Sequence, residues 1–341
     1  MESAISQRAF PGASVAITLR GKLIALKGLG RFTYELDSPE VTSETVFDLA
    51  SITKAVATTS ACMLLQQQSR LNLKQPVVEL LPQFSGSDAR RHRVNIEMLL
   101  AHSSGLPAYV KLFETAKNRA QLLAQAFAVP LSADPGTRAE YSDIGFIILG
   151  EAIEKLAGEP LDGYCHREIF APLGLSHLRF NPAGDQKPLV PPTERQQPFR
   201  PYVIQGEVND ENAFVMGGIA GHAGCFGTAL ELATIAECML RRGDPLFKRH
   251  TVELFTQRQA LPPESSRTLG WDTPSFPSQS GRYLSRKSFG HLGYTGTSLW
   301  IDPERQLSVT LLTNRTWPDR GSQAIKSVRP AFHDAVVEAL L

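Results

Sequence analysis

The sequence predicts a mixed α/β (α+β) fold: an antiparallel sheet built from both termini, flanked by helices, with a helical lobe inserted between. Two observations carry this reading. Alternating apolar runs separated by short turns stand near each end of the chain, and helical spacing punctuated by Pro and Gly dominates the middle. The expected division is a discontinuous sheet lobe, residues 1–65 with 265–341, around a mainly helical lobe, 66–264, with the site between them.

In chain order, Val15–Leu19, the turn Arg20-Gly21-Lys22 and Leu23–Leu26 form the first hairpin candidate. A helix follows over Thr53–Ser69, then others over Asn95–Ala101, Ala120–Ala128, Ser142–Ala157, Leu161–Phe170 and Ala229–Arg241. Within the fourth, Ile144, Ile147, Ile148, Ala152 and Leu156 repeat at helical spacing and Gly158 stands where a C-terminal cap belongs. Asn181–Gln205 and Leu261–Arg282 are poor in helical or strand pattern and read as surface loops. Gly217–Gly227 is too glycine-rich for helix and too apolar for a solvated loop, which predicts a tightly packed turn. Thr297–Ile301, Asp302–Arg305 and Leu307–Leu312 form the second hairpin, and a last helix spans roughly Ser322–Leu341.

With 35 basic and 34 acidic residues along 341, the net charge is +1. No electrostatic footprint for nucleic acid or an acidic membrane is present. No apolar run reaches membrane-spanning length, and Met1–Phe10 lacks the basic start and apolar stretch of a secretory leader. The expectation is therefore a cytoplasmic, reduced protein, though a chain trimmed of its leader would read identically. Cys62, Cys165, Cys225 and Cys238 are scattered without metal-ligand spacing and are expected to be buried free thiols.

Ser51-Ile52-Thr53-Lys54 places a hydroxyl and an amine one turn apart at the start of an apolar helix. A lysine buried there loses its proton more readily and can activate the serine, with the positive end of the helix favouring the alkoxide. Read alone, the pair fits equally a helix cap beside a solvated lysine. Tyr141-Ser142-Asp143 precedes a strong helix, so it offers either a phenol for proton shuttling or an ordinary cap. Gly290-His291-Leu292-Gly293-Tyr294 is either a strand that lets a ligand approach or a bulged edge strand with an exposed histidine. His222, inside the glycine-rich turn, fits a structural histidine better than a pocket residue. No nucleotide-binding glycine motif occurs.

At these residues the chain resembles the penicillin-recognising serine hydrolases: class C β-lactamases, penicillin-binding proteins, D-Ala-D-Ala carboxypeptidases and family VIII carboxylesterases. Their Ser-x-x-Lys motif matches Ser51 to Lys54, their Tyr-x-Asn motif matches Tyr141 to Asp143, and their Lys-Thr-Gly strand matches His291 to Gly293. Leu99–Pro107, Phe10-Pro11-Gly12 and Asp210–Ala213 with the glycine-rich turn extend the likeness, the last toward amidases of cell-wall recycling. The resemblance implies the β-lactamase/transpeptidase-like fold and a covalent acyl-enzyme on Ser51, with Lys54 and Tyr141 managing the proton. It places the oxyanion between the backbone N–H groups of Ser51 and Tyr294. It calls for no metal and no organic cofactor.

Three departures shape the expected specificity. Asp143 replaces an amide with a carboxylate that only accepts, and an ion pair with Lys54 would raise that amine's pKa. His291 replaces a permanent cation, leaving Arg315 as the candidate source of charge, and Leu292 replaces a hydroxyl residue. These favour a less polar acyl substrate, so the leading expectation is an esterase. The alternative within the same chemistry is an amidase or peptidase on muropeptides or a weak β-lactamase, with Asp143 or Glu211 receiving a substrate amino group. An alternative of another class is a non-catalytic penicillin-binding-like module. The expected partner is a small acyl substrate (ester, β-lactam or muropeptide), with no nucleic acid or membrane and the oligomeric state left open.

Overall fold

A computed structural model describes residues 1–341 apart from Ala183, Leu261, Glu264 and Phe276, so those positions of the two expected loops lie outside the described residues. The main sheet contains β1 (Gly12–Leu19), β2 (Lys22–Gly30), β6 (Phe289–Leu292), β7 (Ser298–Asp302) and β8 (Leu307–Thr313). Its order is β2-β1-β8-β7-β6, antiparallel throughout. The two termini meet at β1 and β8, where Ala13 faces Thr313 and Ala16 faces Thr310. Both expected hairpins are present, each within a few residues of its expected bounds.

Strand alternation sorts the apolar side chains to two faces. Ile17, Trp300, Val309 and Leu307 pack with Val336 and Val337 of the C-terminal helix Ile325–Leu340. Ala16, Leu299, Ile301 and Leu312 join the large core on the other face, which includes Leu232, Ala233 and Ala236 of the helix Ala229–Leu240. That helix starts on a capping box, Thr228 with Glu231. A second, small sheet of order β3-β5-β4 contains β3 (Phe47–Asp48), β4 (Arg179–Phe180) and β5 (Cys225–Gly227). It fixes the chain just before Ser51 against the end of the glycine-rich turn, with Phe47 opposite Gly227.

The expected helices form, two of them with a π-helical stretch, one of these being His166–Phe170 after Leu161–Cys165. The helix after Ser51 runs as a π-helix over Lys54–Thr59 before continuing as α-helix over Ser60–Gln67. Thr58 Oγ1 in that wider stretch donates to Gly221 O at 2.7 Å, tying it to the glycine-rich turn. The helix Asp143–Ala157 is capped by Ser142 and ends on Gly158 in the left-handed region, φ 77°.

The two expected surface loops are partly interior. Thr193, Glu194, Gln197, Arg200 and Ile204 are buried. Their composition is polar, but the polar groups satisfy one another: Arg200 donates to Gln197 Oε1 at 2.9 Å and to Val208 O at 2.7 Å. In the second loop, Leu269 and Trp271 are buried and Asp272 exchanges backbone hydrogen bonds with Gly290 of β6. All four cysteines are free and buried.

The glycine-rich turn packs as tightly as its composition predicts. A Cβ on Gly221 would lie 2.1 Å from Phe146 O and 2.9 Å from Gly150 N, both backbone atoms of the Asp143–Ala157 helix. Gly221→Ala must therefore push turn and helix apart. We expect it to lose about 1–3 kcal/mol of stability in urea unfolding, the range of overpacked cores; a variant as stable as the parent chain would refute this close approach.

Candidate active site

Three segments converge on Ser51. The residue before it, Ala50, has φ 47°, a left-handed conformation that a side chain makes costly. Asp48 holds this turn: one carboxylate oxygen accepts from Ala50 N at 2.8 Å and the other from Asn209 N at 2.7 Å. Burial, the larger effect, raises the Asp48 carboxyl to about 6 despite these two donors.

Lys54 is fully buried, and its ammonium meets three acceptors from three segments. These are Ser51 Oγ at 3.0 Å, His222 O at 2.9 Å and Asp143 Oδ1 at 2.6 Å. Two of its donors meet Ser51 Oγ and His222 O as hydrogen bonds, and the Asp143 carboxylate pairs with the charge. Burial disfavours the charge, but the Asp143 carboxylate and the Tyr141 oxygen outweigh it, and the Lys54 pKa lies above the ordinary lysine value. Tyr141 donates its hydroxyl hydrogen to Ser51 Oγ at 2.8 Å. Burial and the Asp143 charge push this phenol up to about 12 against the pull of Lys54. The cap geometry sets Tyr141 and Asp143 on either side of Ser142, whose backbone N–H donates to His102 Nδ1 at 3.0 Å. His102 is buried against Tyr141, its ring centroid 4.8 Å away. Burial, then the charge of Arg267, holds it neutral.

The third segment is β6 and the turn after it. Thr295 Oγ1 donates to Asp48 O at 2.8 Å and Thr297 Oγ1 to Leu49 O at 3.1 Å, so this turn is fastened directly to the chain before Ser51. Gly293 has no room for a side chain, since a Cβ would lie 1.9 Å from Thr297 Oγ1. The backbone N–H groups of Ser51 and Tyr294 have no acceptor among the described residues. His291 is buried, and burial followed by the charges of Lys54 and Arg267 pushes it down to about 3. The ring is therefore neutral and contributes no positive charge, and its Nδ1–H donates to Leu292 O at 2.7 Å.

Ser51, Tyr141, Asp143, His291, Gly293 and Tyr294 all line one cavity of about 850 Å³. Arg315 also lines it, but its Nε donates to Tyr294 O at 2.7 Å and its Nη1 to Ser322 O at 3.0 Å. Its guanidinium therefore braces Tyr294. His222 reaches the site through its carbonyl, while its Nε2 hydrogen-bonds Asp210 Oδ1 at 2.8 Å. Glu211 lies beside Arg320, whose Nη2 is 2.9 Å from Glu211 Oε1.

Several charged groups of the cavity escaped sequence reasoning, Arg267 and Arg320 among them. Arg267 sits 5.5 Å above the Tyr141 ring, its nearest carboxylate oxygen being Asp272 Oδ2 at 3.5 Å. It comes from a stretch with no motif and no periodicity, so only the folded path brings it to the site. Asn209, Asp210 and Arg320 also line the cavity.

Such an arrangement can support acyl transfer: a hydroxyl with two proton-bearing neighbours and two unpaired amides for a developing oxyanion. Comparison with known proteins agrees in kind. The β-lactamase family model matches residues 1–329. An N-acetylmuramyl-L-alanine amidase of Bacillus subtilis (strain 168) is 34% identical over 344 residues, covering 90% of this chain and 77% of that protein. Two solved structures share the fold. The octameric penicillin-binding protein homologue from Pyrococcus abyssi has a TM-score of 0.78 at 23% identity, covering 99% of this chain and 76% of that one. A class C β-lactamase from Rhodobacter sphaeroides has a TM-score of 0.75 at 21% identity, covering 100% and 98%. The chain belongs to the β-lactamase family and is a serine hydrolase of the β-lactamase and penicillin-binding-protein superfamily.

Proposed function

We propose that the chain is an acyl-serine amidase acting on peptide amides of cell-wall fragments. The observation that carries this reading is the pair of protonated groups on Ser51 Oγ, the Lys54 ammonium at 3.0 Å and the Tyr141 hydroxyl at 2.8 Å. An amine is a poor leaving group until it is protonated, whereas an alcohol leaves an ester with less help; a proton-rich site suits the amide. The esterase expectation rested on three departures, at Asp143, His291 and Leu292. Arg267 supplies a cation in the same cavity, which offsets the charge lost at His291. Similarity to the Bacillus subtilis N-acetylmuramyl-L-alanine amidase supports the same reading.

In this mechanism Ser51 Oγ attacks the amide carbon from the minority form in which Tyr141 is ionised beside the Lys54 ammonium. Tyr141 takes the Ser51 proton as the Oγ–C bond forms. The oxyanion lies between the Ser51 and Tyr294 N–H groups, worth several kcal/mol in comparable sites, roughly 3–4 for one donor. Tyr141 then passes the proton to the departing nitrogen as the C–N bond breaks. Water attacks the acyl-serine with Tyr141 again accepting a proton, and return of that proton to Oγ restores the enzyme. Lys54 keeps its charge throughout and stabilises the oxygen anions it touches.

Two experiments test this account. A muropeptide amide should surpass a matched unactivated ester in kcat/KM by at least about tenfold, with Ser51→Ala inactive and Tyr141→Phe slowed about a hundredfold or more. An ester preferred by that margin would overturn the amidase reading, and near-normal turnover by Tyr141→Phe would remove its proton role.

The second concerns pH. The Asp143 carboxylate raises both Lys54 and Tyr141, so whichever must lose a proton does so at higher pH because of it. Asp143→Asn should move the ascending limb of the kcat/KM profile to lower pH by about one unit or more. An unmoved or alkaline-shifted limb would show that Asp143 does not set the proton affinity of the base.

A further inference from the structure

The cavity extends beyond the groups needed for acyl transfer, and its exposed lining includes aromatic rings. Tyr109, Phe199 and Tyr294 all line it and are exposed to 39%, 37% and 48%. Exposed rings gathered on one cavity, unlike apolar side chains scattered singly, mark an interaction site. Phe199 is held from behind by Phe113 and Phe214, with ring centroids 5.1 and 6.1 Å away. Asn212 fixes the backbone that carries Phe113, accepting from Phe113 N at 3.0 Å and donating to Val110 O at 2.9 Å. Tyr294 has the Arg315 guanidinium 4.4 Å from its ring centroid. Phe199 and Tyr294 are thus positioned before any ligand arrives, so stacking on them costs little ordering entropy.

The exposed lining is polar as well: Lys111, Glu114, Gln323 and Lys326 belong to it. A ligand that offers a flat C–H face to the rings and hydroxyl or amide groups at its edge satisfies both features. A fatty acyl chain meets only the first, and an unadorned peptide backbone only the second. We infer that Tyr109 and Phe199 form a saccharide subsite that takes the pyranose ring of an N-acetylated amino sugar attached to the peptide. This rests on the muropeptide reading above and assigns the glycan end of that substrate to the exposed, aromatic lining of the cavity.

The test uses the full chain carrying Ser51→Ala and free N-acetylmuramic acid, which has no peptide bond to cleave. Calorimetric titration should give saturable binding. Phe199→Ala and Tyr109→Ala, each added to that background, should weaken it roughly three- to tenfold, the scale of one aromatic contact. Phe199→Tyr, which keeps the ring, should retain binding within about twofold, and hexanoate should neither bind nor compete. Absence of saturable saccharide binding would overturn the inference, as would affinity unchanged in both alanine variants or equally tight binding of hexanoate. Failure here and failure of the amidase reading are separable. A wild-type chain that binds the saccharide but leaves muropeptide amides intact retires the amidase alone; one that cleaves them without binding the free sugar retires the subsite alone.

Discussion

The site depends on one buried charge. Lys54 is 0% exposed and still carries a proton, which a protein interior tolerates only where other groups solvate it. The solvation comes from Ser51, His222 and Asp143, residues far apart in sequence, at 3.0, 2.9 and 2.6 Å. Each acceptor imposes a demand on its own segment. The His222 carbonyl can approach only because Gly221 lets the glycine-rich turn lie against the helix Asp143–Ala157. Asp143 is in place only because Ser142 caps that helix immediately before it. Removing any one of these oxygens leaves the buried ammonium less well solvated, in a medium where that is expensive.

The same economy of short links explains how the third motif reaches Ser51. Thr295 and Thr297 bond to the carbonyls of Asp48 and Leu49, and Asp48 in turn bonds the amide of Ala50. The left-handed Ala50 is thus held between the main sheet and the small sheet, and the strain is confined to the residue that aims Ser51. Arg329, from the C-terminal helix, donates to the carbonyls of Gly293 and Thr297 and anchors the turn from the opposite side. The helix that covers the sheet therefore also steadies the site.

Most of this was legible from local pattern, and the rest was not for identifiable reasons. The hairpins, the long helices and their caps follow from periodicity and from residues such as Ser142 and Gly158, which act within one turn of themselves. Ser51, Lys54, Tyr141 and Asp143 are compact motifs, visible wherever they occur. The segment 193–204 misled because its polar composition implies solvent, whereas Arg200, Gln197 and Glu194 bury one another's polar atoms. Arg267 carried no signal at all: its neighbours show no period, and its nearness to Tyr141 arises from the docking of Asp272 on β6. Arg315 was legible as a nearby cation, but only the fold shows its donors directed to backbone carbonyls.

The two departures at positions 143 and 291 make sense together. Where the resembled pattern has a neutral amide and a cation, this chain has a carboxylate and a histidine held neutral by its surroundings. A carboxylate at 2.6 Å favours the proton on Lys54, and in the proposed mechanism the lysine therefore serves as a charge and not as a base. A third fixed cation at 291 would add to Lys54 and Arg267 near Tyr141 and stabilise the phenolate further. With a neutral His291, Tyr141 stays high, at about 12, basic enough when ionised to accept the serine proton and acidic enough beside Lys54 to return it. On this argument the histidine preserves the basicity that the aspartate-bound lysine has given up, and the pair is a single adjustment of where the site keeps its proton.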